Sequence, residues 1–146
     1  MTVKDNTTLV RMLYDAFNNH QSDPAWFDKA AAIIAEDFEG INPRGFTRRG
    51  PVGLSDHWGI WARAFHDSNV EVTNVFSTKD QTVVEFIGRG THTGPLPGPS
   101  GDIPPTGRKA EVRFCEVYRF KNGKIVSIHT YYDALDLMRQ LGVNSF

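Results

Sequence analysis

Residues 109–133 read KAEVRFCEVYRFKNGKIVSIHTYYD. Two runs in this stretch alternate, Ala110 to Phe120 and Lys124 to Asp133, and Lys121-Asn122-Gly123-Lys124 joins them. Asn-Gly between alternating runs signals a β-hairpin, because both central residues of a type I′ turn need positive φ. With Asn122-Gly123 as the loop, counting outward sets the register. Phe120 faces Ile125, Tyr118 faces Ser127, Glu116 faces His129, Phe114 faces Tyr131 and Val112 faces Asp133. All of these lie on one side of the sheet, since strand side chains alternate with period two. That side is apolar except for Glu116, His129 and Asp133, and ionisable groups are rarely buried without a partner or a task. A slip of one residue would part Glu116 from His129, so the pairing is conditional on the turn.

The closing helix follows directly, from Ala134 to Leu141, with Gly142 as its C-cap. Upstream, Thr82 to His92 reads as a strand with Val84, Phe86, Gly88, Gly90 and His92 on one side. Two glycines on one face point to a bulge or to close approach of a ligand or of backbone. Thr93 to Gly107 is rich in Gly and Pro, and loops of that length often rim a site. Val70, Val72 and Val75 mark an earlier strand, which turns at Lys79-Asp80-Gln81.

The first third of the chain is helical in pattern. Asn6 or Thr7 caps a helix to about Asn19, with Leu9, Leu13, Ala16 and Phe17 at helical spacing and Tyr14 beside them. Asp23 caps a second helix with Pro24 at its first position, and Trp26, Phe27, Ala30, Ile33 and Ile34 form its stripe. Asp37 to Pro43 is a short extended segment. A third helix starts near Pro51 or Gly53 and ends near Asp67, with Leu54, Trp58, Trp61, Ala62 and Phe65 as one broad stripe. Such a stripe packs on a sheet, and its two indoles could also wall a cavity for a flat organic ligand. Helices first and antiparallel strands after argue an α+β fold, helices covering one side of a curved sheet.

The 146 residues suit one domain spanning 1–146. A net charge of -1 gives no electrostatic case for nucleic acid or an anionic membrane surface. No run of about 18 apolar residues is present, so no membrane span is expected. Lys4, Asp5 and Asn6 interrupt any signal-peptide core, which makes a cytoplasmic protein the default expectation. Cys115 is the only cysteine, so no internal disulfide forms, and it reads as a packed small residue.

His57, His66, His92 and His129 are scattered, without metal-ligand spacing. The glycines do not lead from a strand into a helix as a phosphate loop would, and no serine sits in a nucleophile elbow. Acid–base chemistry without a cofactor, or plain binding, is what the residue types leave. The acid–base candidates are Asp133, His129, Glu116 and His92. A carboxyl in an aromatic pocket has its pKa raised by desolvation and lowered by a nearby cationic imidazole, so a Glu–His pair can place a proton-transfer group near neutral pH. Each also has a plainer reading. Glu116 and His129 form a cross-strand polar pair, Asp133 caps the last helix, and His92 is a rim residue. Tyr14 and Asn42 read as surface or turn residues more often than as ligand contacts. The pocket wall would draw on Trp58, Trp61, Phe65 and Phe86, with Phe114, Tyr118 and Tyr131 from the hairpin.

Five stretches in order carry a family resemblance: Gly90-Thr91-His92-Thr93-Gly94, Pro104 to Arg108, Gly123-Lys124-Ile125-Val126, Asp133-Ala134-Leu135, and Gln140-Leu141-Gly142. Together they resemble the SnoaL-like polyketide cyclases of the nuclear transport factor 2-like superfamily, over roughly Leu9 to Gly142. The resemblance implies a cone-shaped α+β barrel with a deep pocket, and dimers. It implies a cofactor-free enzyme acting on a small enolisable or polyketide-like organic substrate, by aldol cyclisation, isomerisation or dehydration. Asp133 matches the family's acid/base Asp. On the enzyme reading Asp133 or His129 would be the base, Glu116 would orient His129, and His92 or Tyr131 would polarise the carbonyl. The superfamily also holds catalytically silent binding and dimerisation modules. One departure stands out: relatives carry an acidic-His-Trp-acidic run where this chain has Ser127-Ile128-His129-Thr130. That makes the pocket floor more polar and suits a smaller or more polar ligand.

Overall fold

A computed structural model describes residues 2–98 and 100–143. Helix α1 runs Val3–Asn18 and begins one turn earlier than the sequence pattern suggests. Thr2 is its N-cap, in a reciprocal capping box with Asp5. Asn6 therefore lies inside the helix, buried, where its side-chain amide donates to the Thr78 and Lys79 carbonyls of a strand turn. Helix α2 is short, Trp26–Ala31. Asp23 does not cap it directly; its carboxylate takes the Ala25 N–H and pairs with Lys29. The apolar residues Ile33 and Ile34 belong to the entry into strand β1 (Ile34–Asn42) rather than to the helix stripe.

After the two-residue strand β2 (Gly45–Phe46), one helical segment covers Pro51 to Ala64. It is α3 (Pro51–Leu54), a π-helical turn (Ser55–Gly59) and α4 (Ile60–Ala64). Strands β3 (Asn69–Ser77) and β4 (Gln81–Thr91) follow, then a small hairpin of β5 (Leu96–Gly98) and β6 (Gly101–Ile103) within the Gly/Pro-rich loop. The long hairpin β7 (Lys109–Lys121) and β8 (Lys124–Tyr132) leads into α5 (Ala134–Gln140).

The main sheet has the order β2-β1-β8-β7-β4-β3. The expectation of a purely antiparallel sheet needs correction at one place: β1 pairs with β8 in parallel. The long connection between β1 and β8, which carries helices and strands β2 to β7, makes that pairing possible. Asn122 and Gly123 have φ of 53° and 76°, as a type I′ turn requires.

The register expected from that turn holds for one pair and then shifts. Phe120 pairs with Ile125, but Arg119 pairs with Ser127, because a bulge at Val126 adds a residue to β8. From there Glu116 faces Thr130, Val117 faces His129 and Phe114 faces Tyr132. The inward set of β8 is thus Ile125, Ile128, Thr130 and Tyr132, while His129 and Tyr131 turn to the outer face. A second irregularity, at Thr73 of β3, adds to the bend of the sheet.

The bent sheet wraps two apolar clusters. One packs Val10, Leu13 and Phe17 of α1 on Phe38, Val84, Tyr118, Ile125 and Ile128. The other gathers Phe65, Leu96, Val112, Leu137 and Leu141 at the end closed by α5. Gln140 fastens that helix to β7 by exchanging two hydrogen bonds with the Glu111 backbone.

Candidate active site

Glu116 lies in the middle of β7, 1% exposed, on the inner face of the sheet. Four donor groups converge on its carboxylate. The Tyr14 hydroxyl reaches Oε1 at 2.6 Å, and that of Tyr118 reaches it at 2.8 Å. Thr130 Oγ1 donates to Oε2 at 2.6 Å, and the Trp58 indole N–H approaches it at 3.3 Å. The Tyr118 oxygen is also 2.8 Å from that of Tyr14, so its one proton serves one acceptor at a time. Each donor comes from a different part of the chain: α1, the π-helical turn, β7 itself and β8.

Behind Thr130 stands His57, 2% exposed, with Nε2 2.6 Å from Thr130 Oγ1 and 3.8 Å from Glu116 Oε2. The π-helical turn carries both His57 and Trp58. The Arg63 guanidinium, two turns further on, also donates to the Ser55 carbonyl. Gly40 of β1 leaves the room His57 needs: a Cβ there would stand 2.6 Å from its Nδ1.

The direction of this network can be followed atom by atom. The Arg44 backbone N–H donates to Asn42 Oδ1 at 2.8 Å, which turns the Asn42 amide nitrogen toward His57 Nδ1 at 3.4 Å. Nδ1 then accepts and Nε2 carries the proton, which it donates to Thr130 Oγ1. Thr130 in turn donates to Glu116 Oε2. This polarity is assigned from the donor inventory of each group. It leaves Glu116 as a pure acceptor, that is, as a carboxylate.

Burial sets the proton affinities. It pushes the Glu116 pKa above the ordinary 4.5, against the pull of hydrogen bonds from Thr130, Tyr14, Tyr118 and Trp58. It drives His57 down to about 3, helped by the charges of Arg44 and His129, so the imidazole is neutral. Tyr14 and Tyr118 are held protonated by burial and by the Glu116 charge.

Glu116 and Thr130 form one end of a cavity whose walls are Trp58, Trp61, Phe65, Phe86 and Phe114. It encloses about 590 Å³, open mouth included, of which about 60 Å³ admits the centre of a water-sized sphere. Gly88 and Gly90 of β4 line it as well, and a Cβ on Gly90 would stand 2.9 Å from that of Phe65. The cavity occupies the seam between the two apolar clusters.

The remaining residues singled out in the sequence fall elsewhere. Tyr14 and Tyr118 lie beneath the carboxylate rather than on the wall. Asn42 meets His57. His129 stacks on Tyr131 on the outer face, their ring centroids 4.3 Å apart, so the Glu116–His129 pair does not form. Asp133 is exposed and caps α5 by accepting the Asp136 N–H. His92 is buried under Phe65 and clamps the following loop: its Nδ1 accepts the Thr106 N–H at 3.2 Å. His57 and Thr130 carried no signal in the sequence. The one hint was the inward side chains of the Trp58 helix, whose phase the π turn shifts. Among the described residues, no three His, Cys, Asp or Glu side chains are grouped so as to hold a metal ion.

A bent sheet wrapped on helices around an apolar pocket defines the nuclear transport factor 2-like class of fold. Residues 7–141 match the profile of the SnoaL-like polyketide cyclases. The chain belongs to that family. Among solved structures, it is similar to a candidate SnoaL-like polyketide cyclase from Jannaschia sp. CCS1, at 20% identity and a TM-score of 0.83, over 97% of this chain and 94% of that one. It is also similar to IdmH, a candidate polyketide cyclase from Streptomyces antibioticus, at 27% identity and a TM-score of 0.70, over 94% and 98%. AclR from Streptomyces galilaeus, a candidate hydroxylase, superposes with a TM-score of 0.78 at 19% identity, over 99% and 89%. A search of curated proteins finds no match.

Proposed function

We propose that this protein is a cofactor-free proton-transfer enzyme of the polyketide-cyclase type, acting on a small enolisable carbonyl compound, with Glu116 as the group that moves the proton. The observation behind the reading is a desolvated carboxylate, 1% exposed, at the end of an aromatic cavity. Desolvation raises its basicity toward the range useful for general-base catalysis. In this reading Glu116 takes a proton from the carbon beside the substrate carbonyl. Tyr14, Tyr118 and Thr130 hold the carboxylate in place by hydrogen bonds, and Glu116 keeps the abstracted proton until it returns it to the product or to the leaving hydroxyl. The narrow apolar walls keep water out and align the substrate. The resulting enolate can then close a ring, shift a double bond or expel a hydroxyl. Asp133, His129 and His92 take no part in the step. The reading includes a homodimer in the cytoplasm, which light scattering and fractionation would test. No described helix is long and apolar enough to cross a membrane.

A second reading has one observation in its favour: all four donors already engage the Glu116 oxygens, as they would in a purely structural network closing a ligand-binding pocket. Deuterium exchange at the α-carbon of 2-tetralone, followed by NMR in D2O, separates the two. The enzyme reading expects exchange above the buffer rate, reduced by about 100-fold or more in Glu116→Gln. Equal rates in the wild type and the variant would sink it, and ligand binding without exchange by the wild type would favour the module.

A further inference from the structure

A second, larger cavity lies on the other side of Trp61. It holds about 1010 Å³, mouth included, of which about 430 Å³ admits the centre of a water-sized sphere. The 430 Å³ lies within the roughly 300–1,000 Å³ of ordinary ligand pockets. Trp61 and Leu137 line both cavities, so the indole is the partition between them. The outer cavity is walled by Tyr132, Met138 and the β5–β6 hairpin through Leu96 and Ile103. Trp61 and Tyr132 meet nearly at right angles, 81° with centroids 5.5 Å apart, which makes an aromatic corner.

Arg44 is the only charged residue lining this cavity among the described residues. Its neighbours behave differently: Arg48 pairs with Asp56 at 2.7 Å and Arg49 with Glu39 at 3.8 Å. The Arg44 guanidinium makes no ion pair or side-chain hydrogen bond among the described residues. The backbone of Arg44 is fixed, with its N–H on Asn42 Oδ1, Pro43 before it and Gly45 at φ 116° after it. Three acids adjoin the lining residues in sequence, and Asp102, beside Ile103, is exposed. Asp133 is turned to its helix cap, and the Asp136 carboxylate accepts from Gln140.

We propose that the outer cavity binds a flat organic carboxylate, its ring in the Trp61–Tyr132 corner and its anionic head on the Arg44 guanidinium. A planar guanidinium fork matches a carboxylate in shape and charge. One unpaired cation suits a monoanion; a phosphate dianion would call for more positive charge than the cavity presents. The apolar walls exclude a hydrophilic anion and select one with a hydrocarbon body. The site stands apart from the Glu116 chemistry and does not need it to be right.

The test compares 2-naphthoate with its neutral counterpart 2-naphthalenemethanol, titrated into the full chain by calorimetry and followed at the Trp61 indole N–H in NMR, assigned with Trp61→Phe. The acid is expected to bind about tenfold more tightly than the alcohol and to shift the Trp61 signal. Arg44→Gln, at an exposed position, should bring the two affinities together. Ala134→Trp, which fills the cavity, should weaken both by about tenfold or more. Glu116→Gln should leave both unchanged, so a failed proton-transfer reading does not carry over to this one. Equal affinities in the wild type, a preference for the acid that survives Arg44→Gln, or binding indifferent to Ala134→Trp would each overturn the proposal.

Discussion

His57 and Glu116 carry opposite pH signatures, although they belong to one network. In the unfolded chain His57 takes a proton near pH 6.5, whereas in the fold it stays neutral down to about pH 3. Between those values the unfolded chain binds the extra proton, so stability falls as the pH drops. Glu116 works the other way. Its folded pKa lies above 4.5, so the folded protein takes up that proton first, and stability is gained until the unfolded carboxyl titrates as well. The histidine starts to act at the higher pH and should dominate the first part of the acid limb. Urea unfolding at pH 7 and pH 5 should therefore show the wild type losing about 2 kcal/mol more than His57→Gln. Equal losses would mean that His57 is protonated in the fold. Little of this was legible beforehand. Glu116 stood out as a charge on an apolar strand face, but its partners come from α1, the π turn and β8, and no local pattern reports which distant side chain will meet a carboxylate. Asp133 was legible in its plainer form, as a cap followed by a helix.

The hairpin was the most readable element, because Asn122-Gly123 dictates its turn and period two dictates its faces. The inner residues of β7 follow from alternation alone. The bulge at Val126 is the reason β8 was harder: nothing in Lys124 to Tyr132 breaks the alternation, yet one extra residue exchanges His129 for Thr130 opposite Glu116. The parallel β1–β8 pair was hidden for a related cause, since pairing partners distant in sequence leave no local mark. Gly88 and Gly90 are the reverse case, a pattern whose meaning the structure supplies. A Cβ on Gly90 would lie 2.9 Å from Phe65 Cβ and 3.2 Å from Ser68 Cβ, whereas on Gly88 the nearest atom is 3.7 Å away on Phe114. Gly90→Ala should thus push the end of α4 off the sheet and cost about 1–3 kcal/mol in thermal unfolding. Gly88→Ala should be nearly neutral in stability. Matching losses for the two would show that the glycines are needed for strand flexibility rather than for the approach of the helix.

Among the described residues Glu116 is the one deeply buried acid, and it lies where the two apolar clusters fail to close on each other. The bent sheet supplies β7 and β8 from one side, and the Trp58–Trp61–Phe65 helix supplies the other. Filling the seam completely would bury Glu116 against hydrocarbon; leaving it open to water would return the carboxyl to its ordinary acidity. The account depends on the state between these, a narrow apolar cavity with a basic carboxylate at its end. Infrared difference spectroscopy measures this directly, by titrating the protonated-carboxyl band that is present in the wild type and missing in Glu116→Gln. The account predicts a band that appears with a midpoint above the ordinary 4.5, at a frequency typical of a desolvated acid. A midpoint at or below 4.5 would contradict it, because the hydrogen bonds would then outweigh burial and leave Glu116 too weak a base for the step assigned to it.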